Sequence, residues 1–175
     1  GRPLAVMDSM SLTAQRTAAA TAVAAKHLAG ANAETATLIG CGLQAAAQIR
    51  ALHLVRPLRR LFVADLDIGR AGRLAAAMAA ELGIDARPAP AELRQCLAQS
   101  QVVVTCTTSG APILGPGDVA PGTFIAAVGA DNPEKNEIAP ALLAASAVIT
   151  DVTSQCAEIG DLRHAIGAGA MAVAD

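Results

Sequence analysis

Short apolar runs of strand length alternate along this chain with longer Ala-rich stretches of helical period. The first run, Leu4-Ala5-Val6-Met7, begins without a preceding turn. It reads as the tail of a strand, and its abrupt start suggests a piece of a longer protein. Residues 11–28 predict a long helix, with Ser11 or Ser9 as cap and Gly30 as stop. A polar linker then opens a strict alternation. Strand one is expected at 36–40 and helix one at 43–54, with Ala45, Ile49 and Leu52 on one face and Pro57 blocking extension. Strand two follows at 61–65, then helix two at 69–82, ended by Gly83. A short strand near Ala86, a helix at 91–98 and a β-branched strand at 101–106 come next. Strands five and six are expected at 123–128 and 148–151. Such alternation predicts an α/β fold, a Rossmann-type doubly wound parallel sheet with helices on both faces.

The junction of strand one and helix one carries the most informative spacing. Gly40-Cys41-Gly42-Leu43-Gln44-Ala45 has the G-x-G-x-x-A pattern of a dinucleotide-binding loop. Gly40 permits the tight turn, Gly42 lets backbone approach a pyrophosphate, and Ala45 allows close packing of helix on strand. The helix N-terminus adds unpaired N–H groups and the positive dipole end. Asp65 ends strand two at the distance such loops require. Its carboxylate can accept both adenosine ribose hydroxyls and would repel a 2′-phosphate, favouring NAD over NADP. The plainer reading is a turn Asp capping helix two, a role that suits Asp67 better.

Composition narrows the classes. At 175 residues and 53% apolar, the chain can bury one core. A net charge of −2 and 1% aromatic residues argue against nucleic acid or an anionic membrane as partner. Apolar runs are broken well before membrane-span length, and no signal peptide is indicated. Cys41, Cys96, Cys106 and Cys156 lack metal-ligand spacing, so no metal site is expected and a reducing cytoplasm fits. Cys41 is open to two readings: a thiol acidified by the helix N-terminus, or a small buried residue.

In such sheets ligands bind beyond the carboxyl ends of the strands. Thr107-Thr108-Ser109 follows strand four, and its hydroxyls could bind cofactor or serve the loop itself. Asp131-Asn132-Pro133-Glu134-Lys135 follows strand five. Asp131 could move a proton beside a nicotinamide ring, partial burial raising its pKa, or could simply make a turn. Arg16, amid alanines on the first helix, either reaches solvent or pairs with an anion. His27, His53 and His164 read as structural or surface residues.

Taken in order, Arg16-Thr17-Ala18-Ala19, Gly40-Cys41-Gly42-Leu43-Gln44, Pro121-Gly122-Thr123, the stretch Gly129-Ala130-Asp131-Asn132-Pro133-Glu134-Lys135-Asn136-Glu137 and Gly160-Asp161-Leu162 resemble the ornithine cyclodeaminase/mu-crystallin family over nearly the whole chain. The resemblance implies a nicotinamide cofactor and hydride exchange at the Cα of a small amino or imino acid. Arg16 would bind the substrate carboxylate, and Asp131 would be the proton donor or acceptor. Leu43, Gln44, Thr107 and Lys135 fall at cofactor contacts. Val128, Gly129 and Asp131, with Arg16, complete that set. Mu-crystallin lacks the acid at the Asp131 position and prefers NADPH, so Asp131 and Asp65 together lean towards NAD-dependent enzymes. Family members are about twice as long as one such domain. Residues 1–30 are therefore expected to be the end of a substrate-domain strand and a connecting helix, and 31–175 the NAD-binding domain. The substrate and dimerisation domain would lie outside this chain, leaving the isolated domain inactive. A cyclodeaminase, a cyclic ketimine reductase and an alanine dehydrogenase all remain open, as does a non-catalytic cofactor-binding protein.

Overall fold

The computed structural model describes residues 2–89 and 91–172. Gly1 and Asp175, the outer limits of the two expected segments, lie outside them. Five parallel strands form one sheet in the order β3-β2-β1-β4-β5. They are β1 (Thr35–Ile39), β2 (Arg60–Ala64), β3 (Asp85–Pro88), β4 (Val102–Thr105) and β5 (Phe124–Ala127). β1 is central, pairing Leu38 with Val63 of β2 and with Val104 of β4.

Successive strand residues point to opposite faces, and both faces are covered. On one, Ala36, Leu38, Leu61, Val63, Val102 and Val104 meet α2 (Ala45–Val55) and α3 (Ile68–Leu82), the latter through Ala71, Ala75 and Met78. On the other, Ile39 and Val103 meet Leu97 of α4 (Leu93–Gln99) and Leu142 of α5 (Pro140–Ala144). The predicted face of the second helix is the buried one: Ala45, Ile49 and Leu52 are at most 1% exposed. α3 begins at Asp67, which accepts the Arg70 N–H, and ends at Gly83 with φ 67°.

The long α1 (Met10–Leu28) packs on α2 through a face of small residues, Ala14, Ala18, Ala22 and Ala25. Ser9 precedes it without capping; Asp8 accepts the Met10 N–H instead. Arg56, just past α2, donates to the carbonyls of Ala25, Lys26 and Ala29 at 2.7–2.9 Å. One guanidinium thus meets the carbonyls of Ala25 and Lys26 in the last turn of α1 and that of Ala29 just past it.

Two expected strands are absent among the described residues. Leu4-Ala5-Val6-Met7 pairs with nothing, and Leu4 and Val6 are almost fully exposed. A strand needs a neighbour for its ladder, and this segment has none here. Residues 148–151 form no strand either. Asp151 accepts the Val152 N–H and the Thr150 and Thr153 hydroxyls bond each other, so side chains turn the backbone into α6 (Thr153–Glu158). A last helix, α7 (Asp161–Gly167), follows. No helix among the described residues is long and apolar enough to cross a membrane.

Candidate functional site

The strand order reverses between β1 and β4, and there the loops after the two strands close on each other. Gly40 stands at φ 97°, and a Cβ on it would lie 2.7 Å from the Cys106 carbonyl oxygen and 2.8 Å from Thr107 Cγ2. Only glycine meets both demands. Gly42 differs, for a Cβ there would meet nothing within 4 Å. Its bare backbone faces open space just before α2, as a pyrophosphate requires.

Asp65 ties this loop to the end of β2. Its Oδ2 accepts the Cys41 N–H at 2.7 Å and its Oδ1 the Asp67 N–H at 2.8 Å. A carboxylate offers about four acceptor positions, so two remain for a ligand. The thiol of Cys41 is pushed up to about 12, by burial and then by the Asp65 charge. That corrects the acidified-thiol reading: desolvation and a neighbouring anion outweigh the helix terminus. Cys106 is likewise raised to about 12, by burial and then by Glu137.

A cleft of about 300 Å³ opens beside this switch point. Gly42, Leu43 and Gln44 line it from the first loop, Thr107 and Thr108 from the second, and Val128, Gly129, Asp131 and Lys135 from the segment after β5. Thr13, Arg16 and Thr17 reach it from α1. Gly40 and Asp65 do not line it; they shape the loop that does. A larger hollow, about 420 Å³, lies between α4 and residues 113–118 beside the Arg94–Asp118 ion pair. It gathers none of the residues singled out from the sequence.

Within the cleft, Lys135 Nζ donates to Asp131 Oδ1 at 2.7 Å. The Asp131 side chain is 71% exposed, so the partial burial expected of it is not found. It sits on a loop at the rim, where among the described residues only Lys135 bonds its side chain. Arg16 is exposed, and among the described residues it makes no ion pair. Thr107 spends its polar groups internally: both N–H and hydroxyl donate to Glu137 Oε1 at 2.7 Å. Ser109 bonds the backbone of Ala111, again the local option.

Glu137 is the residue that sequence reasoning missed. It is fully buried, and its Oε2 accepts the Thr105 hydroxyl and the Gly129 N–H, each at 2.8 Å. Asp161, at the start of α7, accepts the N–H groups of Glu137 and Ile138. Arg163 donates to the Pro133 carbonyl, and His164 bonds the Lys135 carbonyl. α7 therefore grips the 131–138 segment along its length. The available signal was the placement of Glu137 directly before the apolar Ile138, entering the core.

Fold and site together define a dinucleotide-binding domain of the Rossmann type. The chain belongs to the ornithine cyclodeaminase/mu-crystallin family, whose sequence model matches residues 1–173. The ornithine cyclodeaminase of Agrobacterium tumefaciens is 33% identical over 166 residues, covering 94% of this chain and 46% of that protein. The iminosuccinate reductase of Paracoccus denitrificans, solved with NAD+, superposes with TM-score 0.88 at 37% identity, covering 94% of this chain and 50% of that one. The Thermococcus litoralis Δ1-pyrroline-2-carboxylate reductase, solved with NADH and L-proline, gives TM-score 0.92 at 29% identity, with coverage of 98% and 53%. The chain spans about half the length of the curated relatives it matches.

Proposed function

We propose that this chain is the cofactor domain of an NAD-dependent enzyme that moves a hydride to or from the Cα of a small amino or imino acid. The reaction would be that of an ornithine cyclodeaminase or a cyclic ketimine reductase such as one acting on Δ1-pyrroline-2-carboxylate. The observation that carries this reading is one cleft uniting the Gly42–Gln44 loop, Arg16 and the Asp131–Lys135 pair. Storage of a cofactor alone would need neither Arg16 nor Asp131.

The residues present fit NAD. Gly42 offers backbone to open space, Asp65 keeps acceptor positions free, and Gln44 Oε1 is buried without a partner among the described residues. Leu43, Gln44, Thr107, Val128, Gly129 and Lys135 would hold the cofactor together with the Gly40 turn. When bound, its nicotinamide ring accepts or supplies the hydride. Arg16 would clamp the substrate carboxylate through its planar fork of donors. Asp131 would take or return the proton of the substrate nitrogen, with Lys135 fixing its orientation.

By the same family resemblance, residues 1–30 belong to a connection with a substrate domain and 31–175 form the cofactor domain. The working protein would be a cytoplasmic homodimer. The test is turnover by the full-length protein with NAD and ornithine, or with reduced cofactor and a cyclic ketimine, followed by nicotinamide absorbance. Arg16→Ala should then raise KM for the substrate far more than it weakens NAD. NAD binding without turnover of ornithine, alanine, proline or any cyclic ketimine would overturn the enzyme reading in favour of a binding protein.

A further inference from the structure

We propose that Glu137 is a positioning residue for cofactor binding, and that Asp161 seats it. The inference rests on the reading of the cleft as a nicotinamide-cofactor site. Glu137 neither lines the cleft nor faces solvent, yet its carboxylate bonds two elements that do line it. Oε1 holds Thr107, at the end of β4, through two bonds of 2.7 Å. Oε2 holds Gly129, just past β5, through its N–H at 2.8 Å, and braces against the Thr105 hydroxyl.

The approach is too close for any other residue at 129. A Cβ there would come within 2.5 Å of Glu137 Oε1 and of the Thr107 carbonyl oxygen. Only glycine lets the carboxylate bridge the two strand ends beneath the cleft. Its own place is set by Asp161, which accepts the Glu137 and Ile138 N–H groups at 2.7 and 2.9 Å. Two carboxylates in series therefore connect α7 to the cleft: Asp161 seats residue 137, and the Glu137 side chain holds Thr107 and Gly129. This gives the Gly160-Asp161-Leu162 motif a task.

The hydrogen-bond pattern also shows why glutamine cannot replace Glu137. Each carboxylate oxygen receives one backbone N–H, which can only donate. A hydroxyl could turn round to accept from an amide; a backbone N–H cannot. In Glu137→Gln the NH2 would face either the Thr107 or the Gly129 N–H, releasing one of the two elements at nearly unchanged volume. The binding-competent arrangement would then be only fractionally populated, and apparent affinity falls by that fraction.

The experiment compares NAD with 5′-AMP, which reaches only the Asp65 side, by calorimetry on the full-length protein. Wild type should bind both. Glu137→Gln should weaken NAD by about tenfold, as expected when a charged hydrogen bond is lost, with 5′-AMP held within about twofold. Thr105→Val is the second variant, because Thr105 braces Glu137 without lining the cleft; NAD should weaken by about threefold. Unchanged NAD affinity in Glu137→Gln overturns the inference while leaving the cofactor site intact. Equal losses for NAD and 5′-AMP overturn it too, since they mark general destabilisation. If Glu137→Gln does not fold, Thr105→Val decides alone, and unchanged NAD affinity there is an overturning result. Wild type that binds no NAD removes the cofactor reading itself, and this inference with it.

Discussion

Lys135 Nζ donates to Asp131 Oδ1 at 2.7 Å across one turn of the segment after β5. The pair binds the proposed proton carrier to a proposed cofactor contact. Asp131→Asn keeps the shape and removes the titratable group. A positioned acid or base contributes about 10²–10⁴-fold to rate, and kcat of the full-length protein should fall in that range. NAD affinity should stay within about threefold, and the pH–rate profile should lose one limb. Unchanged turnover would remove Asp131 from the chemistry.

Asp65 should set cofactor choice. With two acceptor positions engaged by Cys41 and Asp67, its remaining ones suit ribose hydroxyls and repel a phosphate. NAD should bind more tightly than NADP by about 1–3 kcal/mol. Calorimetric titration of both decides, and a preference for NADP would refute the assignment.

Gly40 and Gly42 should separate folding from binding. Gly40→Ala meets a positive φ and three atoms under 3 Å, so it should cost about 1–3 kcal/mol of stability. Gly42→Ala meets nothing in the protein and should leave Tm unchanged, while weakening NAD by about tenfold or more through a Cβ where backbone must approach the ligand. Thermal melts and titrations on the two variants test the contrast.

The Cys41 and Cys106 thiols, both raised to about 12, should resist alkylation in the folded protein. At pH 8 a four-unit gap leaves only about one part in 10⁴ as thiolate. Iodoacetamide labelling followed by mass spectrometry should modify both sites in denaturant and neither in buffer. Rapid native labelling of Cys41 would restore the acidified-thiol reading.

Asp161 should tilt stability against rising pH. Burial lifts its carboxyl above the ordinary 3.8, outweighing the lowering by two backbone N–H bonds and His164. The folded state keeps this proton to higher pH than the unfolded state. Its contribution is therefore fully present below 3.8 and declines as pH rises to the raised value. Stability of wild type relative to Asp161→Asn should fall across that window and level off above it. Denaturant melts at stepped pH measure this difference, and a rise with pH would contradict the sign.

The glycine loop, the acid after β2 and the sheet were legible because each is local: a period, a spacing, a turn. Glu137 was not, since its four donors come from Thr105, Thr107 and Gly129, which only the sheet brings together. α5 and α6 were missed because helices of 5 and 6 residues are too short to display a helical repeat. The strand expected at 148–151 failed for the opposite reason. Apolar content matched, but hydroxyl and carboxylate bonds to nearby groups offered the backbone a turn instead.

The Arg56 guanidinium does more than finish a helix. By clasping the carbonyls of Ala25, Lys26 and Ala29, it turns the end of α1 into a fulcrum fixed to α2. Arg16 sits about two and a half turns away, a lever arm of ~14 Å. A tilt of about 5° about that fulcrum carries Arg16 by ~1 Å, the scale of misplacement that can cost about 10²-fold in a positioned reaction. The aim of the arginine is thus governed from the far end of its helix, by a residue that never touches the cleft.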